Sequence, residues 1–142
     1  MKKVILNKCY GGFSLSEEAH RLYAMKKGFE VFAYKNDRYS AKNKQSYYKK
    51  LEKNEDALFK YYFTKDFGNN SVISSEDYAK YSFSLGAGDR EDKTLIEVVE
   101  ELGEKSNSPF SSLVVVEIPD DLEYVIDDYD GIETLHQKVQ EW

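Results

Sequence analysis

The stretch TLIEVVEELGEKSNSPFSSLVVVEI, residues 94–118, carries the clearest structural signal in this chain of 142 residues. Its first half, residues 94–105, places apolar and glutamate side chains at the spacing of an amphipathic helix. Its last six residues, Leu113–Ile118, form a nearly continuous apolar run that Pro119 ends, which is typical of a strand buried on both faces. A helix beside a buried strand predicts an α+β fold, with Leu113–Ile118 in the interior of its sheet.

The N-terminal part of the chain predicts a strand, a glycine turn, a helix and a second strand. Gly11-Gly12 supplies the turn, Ser16 offers an N-cap, and two glutamates after it favour a helix at Glu17–Lys27. We predict one domain, residues 1–142, with one mixed β-sheet covered by two or three helices. The predicted strands are residues 4–7, 29–34, 58–64, 78–85 and 113–118. The predicted helices are residues 17–27, 94–105 and 132–139, and residues 45–57 have helical character.

The composition limits the class of protein. Twelve Tyr and eight Phe provide the bulk for one hydrophobic core. No apolar run approaches the length that spans a bilayer. A single Cys cannot form an internal disulfide, so a reducing, cytoplasmic compartment is expected. The glycine loop lacks G-x-G-x-x-G and no catalytic signature is present, so we predict neither a cofactor nor a catalytic residue.

The charge of the chain is unevenly distributed. Residues 1–66 carry a net charge of +7, residues 67–142 carry −13, and the whole chain carries −6. The densest acidic segment, residues 117–133, has eight carboxylates and no Lys or Arg. This split indicates a surface that meets a charged partner, and the net negative charge argues against direct nucleic-acid binding. The basic, Tyr-containing segment 35–53 either holds single-stranded nucleic acid or a nucleotide, or it offsets the acidic half, within the monomer or across an oligomer.

The loop NKCYGGFSLS, residues 7–16, is the first candidate site. Glycines let the backbone approach a ligand closely, and the start of the following helix presents free N–H groups to an anion. The ordinary alternative is that the glycines make a tight turn and the serines cap the helix. The candidate ligand- or partner-binding residues of this loop are Lys8, Tyr10, Gly11, Gly12, Ser14 and Ser16.

Arg90 and the acidic run complete the candidate set. The guanidinium of Arg90 suits bidentate recognition of a phosphate or carboxylate, and the alternative is an internal ion pair with the acidic run. The acidic candidates are Asp127, Asp128 and Asp130. A calcium loop with Gly131 at its sixth position requires Asp and Glu at positions that hold Ile126 and Gln137. We therefore interpret the run as a partner surface and predict no metal.

Seven blocks, in order along nearly the whole chain, carry a family resemblance. They are NKCYGGFSLS (7–16), TKDFG (64–68), RED (90–92), LIEVVEELG (95–103), VEIPDD (116–121), IDDYDGIE (126–133) and the closing Trp142. The chain resembles a family of small, poorly characterised bacteriophage and prophage proteins. The resemblance implies a viral or prophage origin, a single compact domain and the cytoplasm of a bacterial host. It implies no known reaction and carries over no catalytic residue.

The sequence supports three functional hypotheses. The first is a phage accessory protein that inhibits a host function, with a defence system as the leading candidate, by occupying a protein effector or sequestering a nucleotide signal. The second is a small enzyme acting on a nucleotide or nucleoside through the Gly11-Gly12 loop and nearby carboxylates, which requires Arg90, this loop and a carboxylate to line one pocket. The third is a purely structural or oligomerising role, in which exposed aromatic side chains and the opposite charges of the two halves hold an assembly together.

Overall fold

The computed structural model describes residues 1–36, 47–52, 55, 60–85 and 90–138. The elements are β1 (Lys2–Asn7), α1 (Glu17–Lys27), β2 (Phe32–Asn36), β3 (Tyr47–Lys50), β4 (Tyr61–Phe63), β5 (Asn70–Val72), α2 (Ser75–Tyr81), α3 (Lys93–Leu102), a 3₁₀ turn (Gly103–Ser106), β6 (Leu113–Ile118), β7 (Tyr124–Tyr129) and β8 (Ile132–Gln137). The strands form three antiparallel sheets, in the orders β1-β6, β4-β2-β3-β5 and β7-β8. The predicted α+β class is confirmed.

The chain divides into two compact units. Unit 1 consists of Met1–Tyr23 and Leu85–Trp142, and unit 2 consists of Ala24–Ser84. All ten candidate site residues belong to unit 1. The prediction that residues 1–142 form one domain stays a prediction.

The β1-β6 ribbon of unit 1 is covered on both faces. Successive side chains of a strand point to opposite faces, and here both sets are apolar. One face packs against α1 and α3 in a buried cluster of Ile5, Leu15, Ala19, Leu95, Ile96, Val98, Val99 and Leu113. The other face packs against the β7-β8 hairpin in a cluster of Val4, Leu6, Ile118, Val114, Val116, Leu122, Tyr124, Ile126 and Leu135. This double burial explains why β6 lacks polar alternation.

Helices α1 and α3 begin where side chains satisfy their first N–H groups. Ser16 Oγ accepts a hydrogen bond from Ala19 N–H at 3.1 Å, and α1 has the predicted bounds Glu17–Lys27. Asp92 Oδ1 accepts from Thr94 N–H at 2.9 Å at the start of α3. Such caps are readable in sequence because each depends on neighbours within three residues.

Unit 2 is built around an aromatic core. Tyr34, Tyr48 and Phe63 are buried at its centre, and the rings of Tyr34 and Phe63 meet edge to face with centroids 5.5 Å apart. The Tyr34 hydroxyl accepts from Phe67 N–H at 2.8 Å and donates to the Gly68 carbonyl at 3.2 Å. The core thereby also holds the loop that follows β4.

The sheet organisation differs from the predicted single mixed sheet. The predicted strands at residues 4–7 and 113–118 pair with each other as β1 and β6, whereas residues 29–34 and 58–64 contribute to the separate sheet of unit 2. Among the described residues β6 pairs with β1 alone, so the prediction of an interior strand is wrong. A continuous apolar run reports burial of both faces, and here helices and a hairpin supply that burial in place of neighbouring strands.

The predicted C-terminal helix at residues 132–139 is wrong, because residues Ile132–Gln137 form strand β8. This strand pairs with β7 through a two-residue turn at Asp130-Gly131, with φ values of 51° and 95°. Positive φ at both central positions is the geometry that matches the twist of a tight hairpin, and Asp-Gly is a favoured dipeptide for it. The turn therefore determines the structure of the segment that follows.

Two further predictions are corrected in unit 2. The predicted strand at residues 78–85 contains the end of helix α2, whose N-cap Ser74 accepts from Asp77 N–H at 3.1 Å through Oγ. The segment of helical character, residues 45–57, contains strand β3, which gains hydrogen-bonded neighbours on both sides in β2 and β5. Sheet pairing overrides a weak local helix preference. Residues 37–46 and 53 of the basic segment lie outside the described residues, and its interpretation stays open.

Candidate functional site

Asn7, at the end of β1, joins segments that are distant in sequence. Its buried Nδ2 group donates to the backbone oxygens of Cys9 at 2.8 Å and Gly131 at 2.6 Å. Its Oδ1 accepts from Ser112 N–H at 2.8 Å, and its own N–H donates to Glu133 Oε1 at 2.7 Å. These bonds hold the loop after β1 against the turn of the β7-β8 hairpin.

The two glycines of the candidate loop pack directly on this turn. Gly11 N–H donates to the Asp130 carbonyl at 3.1 Å. A Cβ on Gly131 would lie 2.3 Å from Gly12 N and 2.6 Å from Gly11 N, so a side chain does not fit there. The glycines do allow the backbone to be approached closely, as expected for a ligand, but the group that approaches it is the backbone of the hairpin turn.

The serines of the loop make internal hydrogen bonds. Ser16 Oγ, which caps α1, also donates to the Lys105 carbonyl at 2.6 Å. Ser14 Oγ is hydrogen-bonded to Ser108 Oγ. Both hydroxyls therefore have partners within unit 1, and of the two only Ser16 caps the helix as the ordinary alternative expects.

The first turn of α1 already contains an anion. Glu17 is buried there, and its Oε2 lies 3.0 Å from Arg21 Nε. A carboxylate at this position interacts favourably with the helix dipole and repels a second anion. The start of α1 is therefore poorly suited to a phosphate.

Arg90 and Glu133 form a buried ion pair. Both Nη atoms of Arg90 donate to the carboxylate at 2.5 Å, and the side chains of Arg90 and Glu133 are only 11% and 3% exposed. Arg90 also donates to the Ile5 carbonyl at 3.1 Å, and its guanidinium lies 3.9 Å from the centre of the Phe13 ring. Lys8 Nζ donates to the Glu133 backbone carbonyl at 2.7 Å. Both candidate cations thus bind acceptors inside unit 1.

The surroundings of Glu133 lower its pKa below the ordinary 4.5. Burial by itself raises the pKa, but hydrogen bonds from Arg90 and from Asn7 N–H, together with the charges of Arg90 and Lys8, outweigh burial. The carboxylate is ionised at neutral pH and neutralises Arg90. This is the internal ion pair named above as the alternative for Arg90, and its acidic member is Glu133 instead of a candidate aspartate.

The β7-β8 hairpin has an outer face that points away from the core. Tyr124 and Ile126 pack inward, so every second residue of β7 that alternates with them points to the other side. The outer face carries Val125, Asp127 and Tyr129 from β7 and Ile132, Thr134 and His136 from β8. Asp127 Oδ2 lies 3.2 Å from His136 Nε2, and both side chains are exposed.

Asp128 and Asp130 shape the hairpin turn. Asp128 Oδ1 accepts from Gly131 N–H at 2.7 Å. Asp130 has a left-handed backbone with φ of 51°, which Asp adopts more readily than most residues. Both residues are exposed, so their charges lie at the surface.

Exposed aromatic residues border this turn. Tyr10, 63% exposed, precedes the Gly11-Gly12 loop, and the Phe110 carbonyl lies 2.7 Å from the position of a Cβ on Gly11. Tyr129, 74% exposed, directly precedes Asp130, whose carbonyl is bonded to the loop. We call this set of exposed residues, which come from both faces of the hairpin and from the neighbouring loops, the acidic-aromatic surface; it consists of Tyr10, Phe110, Val125, Asp127, Asp128, Tyr129 and Asp130.

A cleft of about 690 Å³ lies elsewhere on unit 1, between the start of β1 and α3. An ion pair between Lys3 Nζ and Glu100 Oε1, 2.8 Å apart, forms part of its wall. None of the ten candidate residues lines it. Arg90 and the glycine loop both contact the β7-β8 hairpin, but the carboxylate bound to Arg90 is Glu133, and these groups form a packed contact instead of lining the one pocket that the enzyme hypothesis requires.

Three residues that connect the candidate residues were not predicted from the sequence: Asn7, Phe13 and Glu133. One signal was available in the Asp130-Gly131 dipeptide. A two-residue hairpin at this point places Glu133 directly opposite Asp128 and close to the end of β1. The ion pair with Arg90 had no local signal, because 43 residues separate its members.

His20 is a buried imidazole beside the candidate loop. Nε2 accepts from Leu85 N–H at 3.2 Å, so the proton resides on Nδ1, which lies 2.8 Å from the Ser16 carbonyl and donates to it. Burial lowers the pKa of His20 from 6.5 to about 4. The ring is therefore neutral in the folded protein at neutral pH.

We expect the protonation of His20 to lower the free energy of unfolding by about 3 kcal/mol as the pH decreases from 7 to 4. The unfolded chain binds a proton near pH 6.5 and the folded protein only near pH 4, so acid favours unfolding throughout this window. Urea unfolding at several pH values measures the effect. His20→Gln is expected to flatten the pH dependence although it is less stable at pH 7, and the exposed His136→Gln controls for the loss of an imidazole as such. Equal pH dependence in wild type and His20→Gln would contradict the assignment.

Within residues 1–36, 47–52, 55, 60–85 and 90–138, no helix has the length and apolar composition needed to cross a membrane. The same ranges contain no group of three or more His, Cys, Asp or Glu side chains arranged to hold a metal ion. Comparison with protein-family models, curated proteins and solved structures finds no match to this chain. A functional conclusion therefore rests on the residues themselves.

Proposed function

We propose that this chain is a phage or prophage accessory protein that binds a host protein in the bacterial cytoplasm through its acidic-aromatic surface. The inhibited host function is a defence system, and the target is a basic, nucleic-acid-binding surface of its protein effector. The observation that carries the proposal is the position of exposed rings and carboxylates on touching segments, at the hairpin turn and the glycine loop.

The chemistry of this surface suits a protein partner. Tyrosine and phenylalanine are enriched at the energetic centres of interfaces, where a ring buries apolar area and Tyr keeps a polar tip. The neighbouring aspartates repel nucleic acid and attract a basic protein surface, with an association rate that depends on salt. Carboxylates held on a hairpin would occupy positions that phosphates take on such an effector.

The internal contacts favour this mode over the two small-molecule alternatives. Sequestering a nucleotide, or acting on a nucleotide or nucleoside as an enzyme, requires Lys8, Arg90 and the Gly11-Gly12 loop to face a ligand. Lys8 and Arg90 bind Glu133, and the glycines pack on the hairpin turn. Either alternative would have to break the buried ion pair before binding.

The triple variant Asp127→Asn, Asp128→Asn, Asp130→Asn is expected to weaken partner binding by about 10-fold or more, which corresponds to about 1.4 kcal/mol. The fold should be retained, because Asn keeps an acceptor oxygen for Gly131 N–H and tolerates the left-handed backbone at position 130. Tagged protein captures the partner from nuclease-treated host lysate, and calorimetry of the purified pair measures the dissociation constant at low and high salt.

A matched control separates the surface from net charge. Glu100→Gln, Glu101→Gln, Glu104→Gln makes the same charge change at exposed positions on α3 and the 3₁₀ turn, and it should bind as wild type. Equal weakening in both triple variants would show that only net charge matters. Recovery of no host protein at any salt concentration would remove the protein route.

A further inference from the structure

Within residues 1–36, 47–52, 55, 60–85 and 90–138, strand β6 has an open edge. It pairs with β1 on one side, and no second strand lies beside it among the described residues. Both faces of the ribbon are covered, so the edge alone is available, and Val114, Val115 and Val116 are half-buried there. An apolar strand with an uncovered edge is a template for pairing with another strand.

The register shows which backbone groups are open. Lys8 N–H donates to the Ser112 carbonyl at 2.7 Å, and alternation along the antiparallel ladder then directs the N–H and C=O of Val115 and Glu117 away from β1. Leu113 N–H also points outward, and Asn107 Oδ1 accepts it at 2.8 Å. No hydrogen bond from the described residues reaches the outward groups of Val115 and Glu117.

We propose that this edge binds β6 of a second copy of the chain, antiparallel, with the two-fold axis at Val116. Each Val115 then exchanges two hydrogen bonds with the partner's Glu117. The four bonds use every outward group in the window between the Leu113–Asn107 contact and Pro119. The two ribbons join into a four-stranded sheet in the order β1-β6-β6-β1.

Other two-fold registers fail on specific groups. An axis at Val115 needs the Leu113 N–H that Asn107 already holds. An axis at Glu117 places two like charges directly opposite each other and sets Val115 against a proline without an N–H. The axis at Val116 avoids both problems.

The side chains of this register are self-complementary, which is why the occupant is a second copy. Val116 lies opposite the partner's Val116, and Val114 lies opposite the partner's Ile118, so β-branched residues pair with each other. The charge of Glu117 is accommodated within each copy, because the register of the ribbon places Lys3 across from it. A foreign strand would need the same apolar, β-branched pattern.

Sedimentation of the full chain over a concentration series up to about 1 mM, which covers the dissociation constants of weak interfaces, measures the association. A monomer–dimer equilibrium is expected. Glu117→Pro removes one outward N–H without touching the ladder to β1, at a strand position where proline is tolerated, and should give a monomer. Glu117→Ala keeps this N–H and should still dimerise. A monomer at every wild-type concentration overturns the proposal, as does a dimer unaffected by Glu117→Pro.

A cross-linking test fixes the register even if Glu117→Pro unfolds. At the two-fold axis the Val116 Cα atoms are about 4.5 Å apart, within disulfide range, whereas the two Val114 Cα atoms are roughly 14 Å apart. In a Cys9→Ser background, Val116→Cys should oxidise to a disulfide dimer at least 10-fold faster than Val114→Cys. Equal rates for the two variants, or faster cross-linking of Val114→Cys, would overturn the proposed register.

Discussion

Replacing Glu133 with Gln is expected to lower the free energy of unfolding by about 3–5 kcal/mol, the usual effect of removing one member of a buried ion pair. The guanidinium of Arg90 would remain buried against Phe13 without the carboxylate of Glu133 that now binds both of its Nη atoms. Desolvation of a charge that has lost this carboxylate accounts for most of the loss. Denaturant unfolding of wild type and variant at neutral pH measures it.

Two variants isolate the cause. Asp127→Asn removes an exposed carboxylate from the same hairpin and should change stability by at most about 0.5 kcal/mol. Arg90→Met combined with Glu133→Gln removes the buried guanidinium as well and should recover part of the stability lost in Glu133→Gln alone. An unfolding midpoint of Glu133→Gln equal to wild type would contradict the burial and pairing of this carboxylate.

The same pair contributes to acid sensitivity. Because the pKa of Glu133 is lowered in the folded protein, its stabilisation is complete above the ordinary value of 4.5 and is lost as the pH falls through the folded value. This window starts at pH 4.5 and extends downward, whereas the His20 window runs from 6.5 to about 4, so of these two groups only His20 contributes well above pH 4.5.

Replacing Gly131 with Ala is expected to lower the free energy of unfolding by about 2–5 kcal/mol, combining backbone strain of about 1–2 kcal/mol with overpacking of about 1–3 kcal/mol. Its φ is +95°, and the new Cβ would lie 2.3 Å from Gly12 N. Neither backbone can retreat freely, because Asn7 bonds to both the loop and the turn. Thermal and denaturant unfolding measure the effect.

Gly12→Ala is the matched control. Gly12 has a φ of +105°, yet a Cβ there meets nothing within 4 Å. This variant should show the conformational strain alone, about 1–2 kcal/mol. A Gly131→Ala variant no less stable than Gly12→Ala would show that loop and turn are not in contact.

Several elements were predictable because their causes are local. Helix α1 has its predicted bounds, and α3 begins one residue before its predicted range and ends within it, since caps and apolar spacing act over a few residues. Strand β8 was predicted as a helix because the signal at Asp130-Gly131 was weighed as part of a failed calcium loop and not as a hairpin turn. The sheets were misassigned because strand pairing depends on contacts far apart in sequence.

The candidate site was located in part from sequence. The glycine loop, Arg90 and the acidic run were each chosen by residue chemistry, and the structure brings them together around Glu133. In the structure these groups make internal contacts and do not face a ligand. Groups chosen as ligand donors are hydrogen-bonded inside unit 1, with Lys8 and Arg90 both bound to Glu133, and the residues left exposed beside them are aromatic and acidic.

The sequence by itself determined the α+β class, the two long helices, the apolar strands and the acidity of the C-terminal half, because each follows from residue type and short-range spacing. Only the tertiary structure decided that Arg90 meets Glu133, that two glycine turns pack on each other and that β6, in the part of the chain that the structure describes, pairs with β1 alone. The energy of a charge or an N–H group depends on its desolvation and on the partner that folding brings to it. That partner lies 43 residues away for Arg90 and 126 residues away for Asn7, beyond the reach of any local pattern.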